Sequence, residues 1–159
     1  MEVIKIPYKE TNHFSKLVLD YLANDPKLKS FINDFPSLDS FSTQITQKSF
    51  QNIDRIALHK VLKNQNLNTS KETLKNIDAI KDENTFSITT GHQLCLFTGP
   101  LYLIYKIAST KNLVETLKVK FPENNFIPIF WLASEDHDFE EVSSINLFNK
   151  KIKWSTKQK

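Results

Sequence analysis

Thr85-Phe-Ser-Ile-Thr-Thr-Gly-His-Gln-Leu-Cys-Leu-Phe-Thr-Gly-Pro100 is the stretch that decides the fold. It opens as a short β-prone run, crosses a segment holding both glycines of the 159-residue chain, and ends where a helical pattern begins. Glycine this scarce is kept for positive φ or for close backbone approach. Leu101, Ile104, Ala108, Val114 and Leu117 then predict a helix over 101–118, with Pro100 in its first turn and Thr98 or Gly99 at its cap. Phe126-Ile-Pro-Ile-Phe-Trp131 is continuous and apolar, the pattern of a strand covered on both faces. Strand, helix and strand in succession make a βαβ unit with parallel strands and a right-handed crossover, so the fold class is α/β.

Working outward, the first 83 residues read as a mostly helical N-terminal part packing on the core. Phe14, Leu17, Val18, Tyr21 and Leu22 form one apolar stripe, which Thr11 or Asn12 could cap. Asp25-Pro26 starts a short helix carrying Leu28, Phe31 and Ile32, and Pro36 ends it. Phe50, Ile53, Ala57 and Val61 make another stripe, widened by Ile56 and Leu58. Thr69-x-x-Glu72 has the capping-box pattern before Leu74, Ile77 and Ile80. These stripes are read as core, without catalytic spacing. Residues 84–159 form the βαβ part.

Composition excludes several classes of function. No uncharged apolar stretch approaches the ~20 residues a membrane helix needs, and the N-terminus lacks the pattern of a signal peptide. One cysteine, Cys95, cannot form an internal disulfide, which fits a reducing cytoplasm. The net charge of +3 comes from the last ten residues, which carry five lysines and no acid. The remainder holds 16 basic and 18 acidic side chains, a net −2. In the tail Lys alternates with Ile152 and Trp154, as in a strand with one solvated face. Nucleic-acid partners are therefore not expected.

Ligands of βαβ units bind beyond the carboxyl ends of the strands. Two segments take that place: Gly91-His-Gln93 and Ser134-Glu-Asp-His-Asp138. The second opens a run of seven residues, 135–141, with five carboxylates and one imidazole. Such a cluster favours the charged form of His137 and can orient an imidazole, move a proton or hold a cation. Glu140 and Glu141 are read as a solvated helix start. Adjacent residues point in alternating directions, so no metal is expected at Asp136, His137 and Asp138. In the first segment, turn N–H groups and the helix start behind Pro100 could cradle phosphate or carboxylate. Thr90, Gly91, Gln93, Thr98, Gly99, Lys106 and Glu135 are the candidate binding residues. His92, Asp136, His137 and Asp138 are the catalytic candidates. Nothing in the sequence supplies Cys95 with a base, so it reads as a small buried filler. His13 and His59 fall within helical patterns and read as surface or core-edge residues.

Thr89–Lys106 and Phe126–Val142, together with Ile6-Pro-Tyr-Lys-Glu-Thr-Asn-His-Phe-Ser-Lys-Leu17, resemble the signature blocks of the cysteine ligase family of bacillithiol biosynthesis. The resemblance implies a Rossmann-like core with a helical insertion and a coiled coil that dimerises the protein. It implies addition of cysteine to glucosaminyl-malate, the last step in making bacillithiol. Family members are several times longer, so the chain is expected to be an N-terminal fragment that is inactive alone. Amide formation needs an activated carboxyl, as an adenylate or acyl phosphate, which makes ATP or another nucleotide the candidate cofactor. His137, oriented by Asp136 or Asp138, would strip the proton from the attacking ammonium, and His92 and Gln93 would position an anion or stabilise developing charge. Two other classes stay open: a nucleotidyl- or adenylyl-transferring enzyme, and a non-catalytic interaction domain.

Overall fold

The computed structural model describes residues 3–48, 53–95, 99–136 and 139–155. The chain divides into two compact units, residues 1–49 and 50–159.

The first unit holds helices α1 (Lys16–Leu22) and α2 (Ser40–Gln47), with 3-10 turns at Tyr8–Glu10 and Pro26–Leu28. Ser15 caps α1 by accepting from the Val18 N–H, in place of the expected Thr11 or Asn12. Asn12 instead takes a left-handed φ of 55°, which leads the chain into the cap. The helix begun at Asp25-Pro26 stops at Leu28, short of Phe31 and Ile32. The stripe read as core is not buried: Phe14, Leu17, Val18, Tyr21 and Leu22 all stay exposed.

The second unit begins with α3 (Arg55–Gln65) and α4 (Lys71–Ala79), so both helices belong to the unit that holds the sheet. Ser70, not Thr69, caps α4 by accepting from the Thr73 N–H. Ile77 and Ile80 are buried, whereas Ile53, Ile56, Leu58 and Val61 of the preceding stripe are exposed. Arg55 ties α3 to the chain ahead of the sheet. Its guanidinium donates to the carbonyls of Ile80 and Asp82, both at 2.8 Å, and to those of Glu83 and Thr85 at 3.4 and 3.3 Å.

Strand β1 (Thr85–Gln93), helix α5 (Leu101–Lys120) and strand β2 (Asn125–Ala133) form the expected βαβ unit. The strands pair in parallel, from Thr85 opposite Asn125 to Gln93 opposite Ala133. The buried Thr85 hydroxyl donates to the Ala79 carbonyl and accepts from Asn125 Nδ2, which fixes both strand starts. Val114 and Leu117 of α5 pack with Phe126 and Ile127 as the buried core. Coverage ends there. Phe130, Trp131 and Leu132 are exposed, as are Leu101 and Ile104, so the continuous apolar run is covered only in its first half. Pro128 opposite Ile88 suits β2, which among the described residues pairs only with β1, since proline cannot donate to a ladder.

Beyond β2, a short helical turn α6 (Phe139–Val142) leads into the hairpin of β3 (Ser144–Leu147) and β4 (Lys150–Lys153). Phe148 and Asn149 both take positive φ, as a two-residue turn between right-twisted strands demands. The lysine-rich strand read from the tail is present and exposed along its whole length.

Candidate functional site

The first segment is not a turn. Gly91, His92 and Gln93 continue β1, facing Trp131, Leu132 and Ala133 of β2. No backbone cradle forms at 91–93, because that backbone is committed to extended pairing. Gly91 serves close approach instead: a Cβ there would lie 2.8 Å from the Trp131 carbonyl oxygen. Gly99 has φ +63°, and a Cβ there would meet Cys95 Cβ at 2.6 Å. The two glycines thus have separate reasons, one steric against the partner strand and one conformational. Pro100 stands at the N-cap of α5, one position earlier than expected, with ψ 152° holding it extended before the helix begins.

The helix start then returns over the end of β1. Tyr102 Oη lies 2.6 Å from His92 Nε2, with the rings 5.1 Å apart and tilted by 43°. His92 Nδ1 is 3.0 Å from the Gln93 carbonyl oxygen. A carbonyl only accepts, so Nδ1 carries the hydrogen, and Nε2 of the neutral ring accepts the Tyr102 hydroxyl. Lys106 Nζ donates to the Gly91 carbonyl at 3.2 Å and stands 5.2 Å from the centre of the Tyr102 ring. Imidazole, phenol and ammonium therefore meet at the carboxyl end of β1.

Cys95, read as a small buried filler, is only half-buried and belongs to this cluster. Its Sγ is 3.2 Å from His92 Nδ1, and its thiol donates to the Gln93 carbonyl at 3.4 Å. The imidazole beside it presents N–H on that side, so the thiol and the ring share one acceptor.

Thr90 lies in β1 opposite Phe130, partly buried. Glu135 and Asp136 follow the end of β2 and are exposed, without a hydrogen bond or ion pair among the described residues. Because Gln93 pairs with Ala133, both strands end at one rim, with Glu135 two residues further along. Thr98, His137 and Asp138 fall outside the described residues. Among the described residues no group of three or more histidine, cysteine or acidic side chains could hold a metal ion. No described helix is long and apolar enough to cross a membrane. Sequence reasoning passed over Tyr102, whose only signal is an aromatic in the first turn of a helix that folds back over the strand before it.

A parallel βαβ unit carrying polar side chains at its carboxyl rim is the architecture of Rossmann-like domains. A family model described as Bacillithiol biosynthesis BshC, N-terminal Rossmann-like domain, matches residues 1–159, and the chain belongs to that family. A Christiangramia forsetii protein named "Putative cysteine ligase BshC" is 52% identical over 154 residues, covering 94% of this chain and 29% of the relative. A Flavobacterium psychrophilum protein of the same name is 51% identical over 159 residues, covering 97% and 30%. One from Bacillus cereus is 34% identical over 145 residues, covering 86% and 26%. The chain spans about 30% of the length of these relatives.

Proposed function

We propose that this domain forms the reaction rim of a ligase that joins the carboxyl of cysteine to the amine of glucosaminyl-malate, the final step of bacillithiol synthesis. The observation that carries the reading is the meeting of His92, Tyr102 and Lys106 at one strand end in a chain of this family. The name its relatives carry, which specifies cysteine and ligation, supports it.

Amide formation asks three things of the rim. An anionic part of the substrate must be held, an ammonium must lose a proton, and the departing group on the carboxyl must gain one. Lys106 spends one N–H on Gly91 O and keeps its others for a malyl carboxylate or a phosphate. The start of α5, behind Gly99 and Pro100, adds the free N–H groups of a helix N-terminus, although the Leu103 N–H is already spent on the Pro100 carbonyl. Thr90, Gln93 and Thr98 flank that position in sequence. With Nδ1 on the Gln93 carbonyl, the basic nitrogen of the His92 ring is turned toward Tyr102, which suits taking a proton. His137 then takes the role of acid in place of the base expected above, since the acids beside it in the sequence favour its charged form and suit it to giving a proton. The acidic side chains also attract the incoming ammonium.

The Lys106 ammonium beside a helix start is the donor set a polyphosphate needs, so the rim fits a nucleotide. ATP or another nucleotide, when bound, would supply the activation of the carboxyl. Homodimer formation through segments beyond this chain is part of the same reading.

The test is detection of bacillithiol by mass spectrometry after the protein, at the full length of its relatives, meets glucosaminyl-malate, cysteine and ATP. Product that requires all three supports the ligase. Pyrophosphate release without dependence on cysteine overturns it in favour of nucleotidyl transfer.

A further inference from the structure

We propose that Tyr102 is the gate through which His92 exchanges its proton with a substrate, an inference that rests on the ligase reading for the identity of that substrate. The tautomer of His92 is set at its other nitrogen. His92 Nδ1 lies 3.0 Å from the carbonyl oxygen of Gln93, within its own strand. That oxygen has no hydrogen to give, so Nδ1 holds the N–H and the neutral ring keeps its lone pair at Nε2. Cys95 Sγ lies 3.2 Å from Nδ1 on the same side and also donates to Gln93 O at 3.4 Å, so that carbonyl is the shared acceptor for both groups.

The lone pair at Nε2 is not open to an incoming molecule. Tyr102 Oη occupies it at 2.6 Å, and the tilted phenol ring lies 5.1 Å from the imidazole. His92 is partly buried while Tyr102 keeps half its surface exposed. A substrate approaching the rim meets the hydroxyl before it meets the imidazole. Among the described residues, the charged and titratable groups facing this pair are Lys106, on the helix of Tyr102, and Cys95, on the segment between strand and helix. Lys106 Nζ, 5.2 Å from the phenol ring centre, favours negative charge on the oxygen as its proton leaves.

The transfer is a concerted double shift. The substrate ammonium N–H breaks and its proton bonds to Tyr102 Oη. The Tyr102 O–H breaks and that proton bonds to His92 Nε2. The products are a neutral amine with its lone pair free to attack, an unchanged phenol, and an imidazolium whose Nδ1–H stays on Gln93 O.

Tyr102→Phe in the full-length protein removes the hydroxyl and keeps the ring. Diethyl pyrocarbonate, which acylates an unprotonated imidazole nitrogen, reads the gate without any activity assay. Peptide mass mapping should show acylation of His92 rising about fivefold or more in the variant, with His59 acylated at the wild-type rate as a control for folding. Turnover to amide should fall about tenfold or more with KM little changed, and its low-pH limb should shift. Equal acylation of His92 in the two proteins overturns the gate. Wild-type turnover in Tyr102→Phe overturns it as well. If wild-type protein makes no amide from cysteine and glucosaminyl-malate, the ligase reading fails, and the acylation ratio still decides the gate.

Discussion

Lys106 Nζ, on the second turn of α5, donates to the carbonyl oxygen of Gly91 at 3.2 Å and so closes the helix over the strand that precedes it. A cation is thereby fixed beside the His92–Tyr102 pair. Lys106→Met keeps the length of the side chain and removes the charge. The value of kcat/KM for glucosaminyl-malate in the full-length protein should drop about tenfold or more, the worth of one charged hydrogen bond. Steady-state kinetics against that substrate checks it.

Gly91 is a steric requirement of the parallel pairing. Gly91→Ala drives a methyl group to 2.8 Å from Trp131 O and 3.0 Å from Trp131 Cβ, so the strands must part. The substitution should cost about 1–3 kcal/mol, as overpacking does, and urea denaturation measures it. Serine at the same position should cost at least as much.

Arg55 donates to four carbonyls, those of Ile80, Asp82 and Glu83 between α4 and β1 and that of Thr85 at the start of β1. Lysine keeps the charge and loses the forked geometry. Arg55→Lys should destabilise the second unit by about 2 kcal/mol through unsatisfied carbonyls, read as a lowered urea midpoint.

Asp78 accepts from His59 Nε2 at 2.9 Å, and that hydrogen bond, with Lys81 beside it, holds its carboxyl below the usual 3.8. The folded state binds the proton less readily than the unfolded chain, so the pair stabilises the fold above that ordinary value. The contribution fades as pH falls through the lower folded value. Wild type and Asp78→Asn should therefore differ in urea midpoint near neutral pH and converge at the acid end. A gap that persists below pH 3 would contradict this attribution.

His137 follows the end of β2, among acids. His137→Ala in the full-length protein should lower turnover about a hundredfold, the usual scale of a lost proton-transfer group. Its pH–rate profile should lose the high-pH limb, while His92→Asn loses the low-pH limb. Bacillithiol yield equal to wild type removes His137 from the mechanism.

The βαβ unit was legible because its signals are local. Alternation in Thr85–Thr90, the 3.6-residue period of α5 and the apolar run Phe126–Trp131 each specify an element without outside help. Caps slipped by a residue or more, as at Ser15, Ser70 and Pro100, because neighbouring Ser, Thr, Asn and Pro compete for one role. The apolar stripes of residues 14–22 and 53–61 predicted burial that this chain does not provide. Periodicity reports which face is apolar, and only surrounding chain decides whether that face is covered.

The chain by itself determined a parallel pair of strands and the carboxyl rim to which His92 and Glu135 come. Residue types and short-range patterns suffice for that, because strand direction follows from a single crossover. Only the tertiary structure decided that Gly91–Gln93 is strand rather than turn and that Tyr102 seats on His92 Nε2. It alone set Lys106 on Gly91 O and Cys95 beside His92 Nδ1. These relationships depend on the angle at which α5 folds back over β1. That angle is set by the burial of Val114 and Leu117 against the sheet, far along the helix from the residues it brings together.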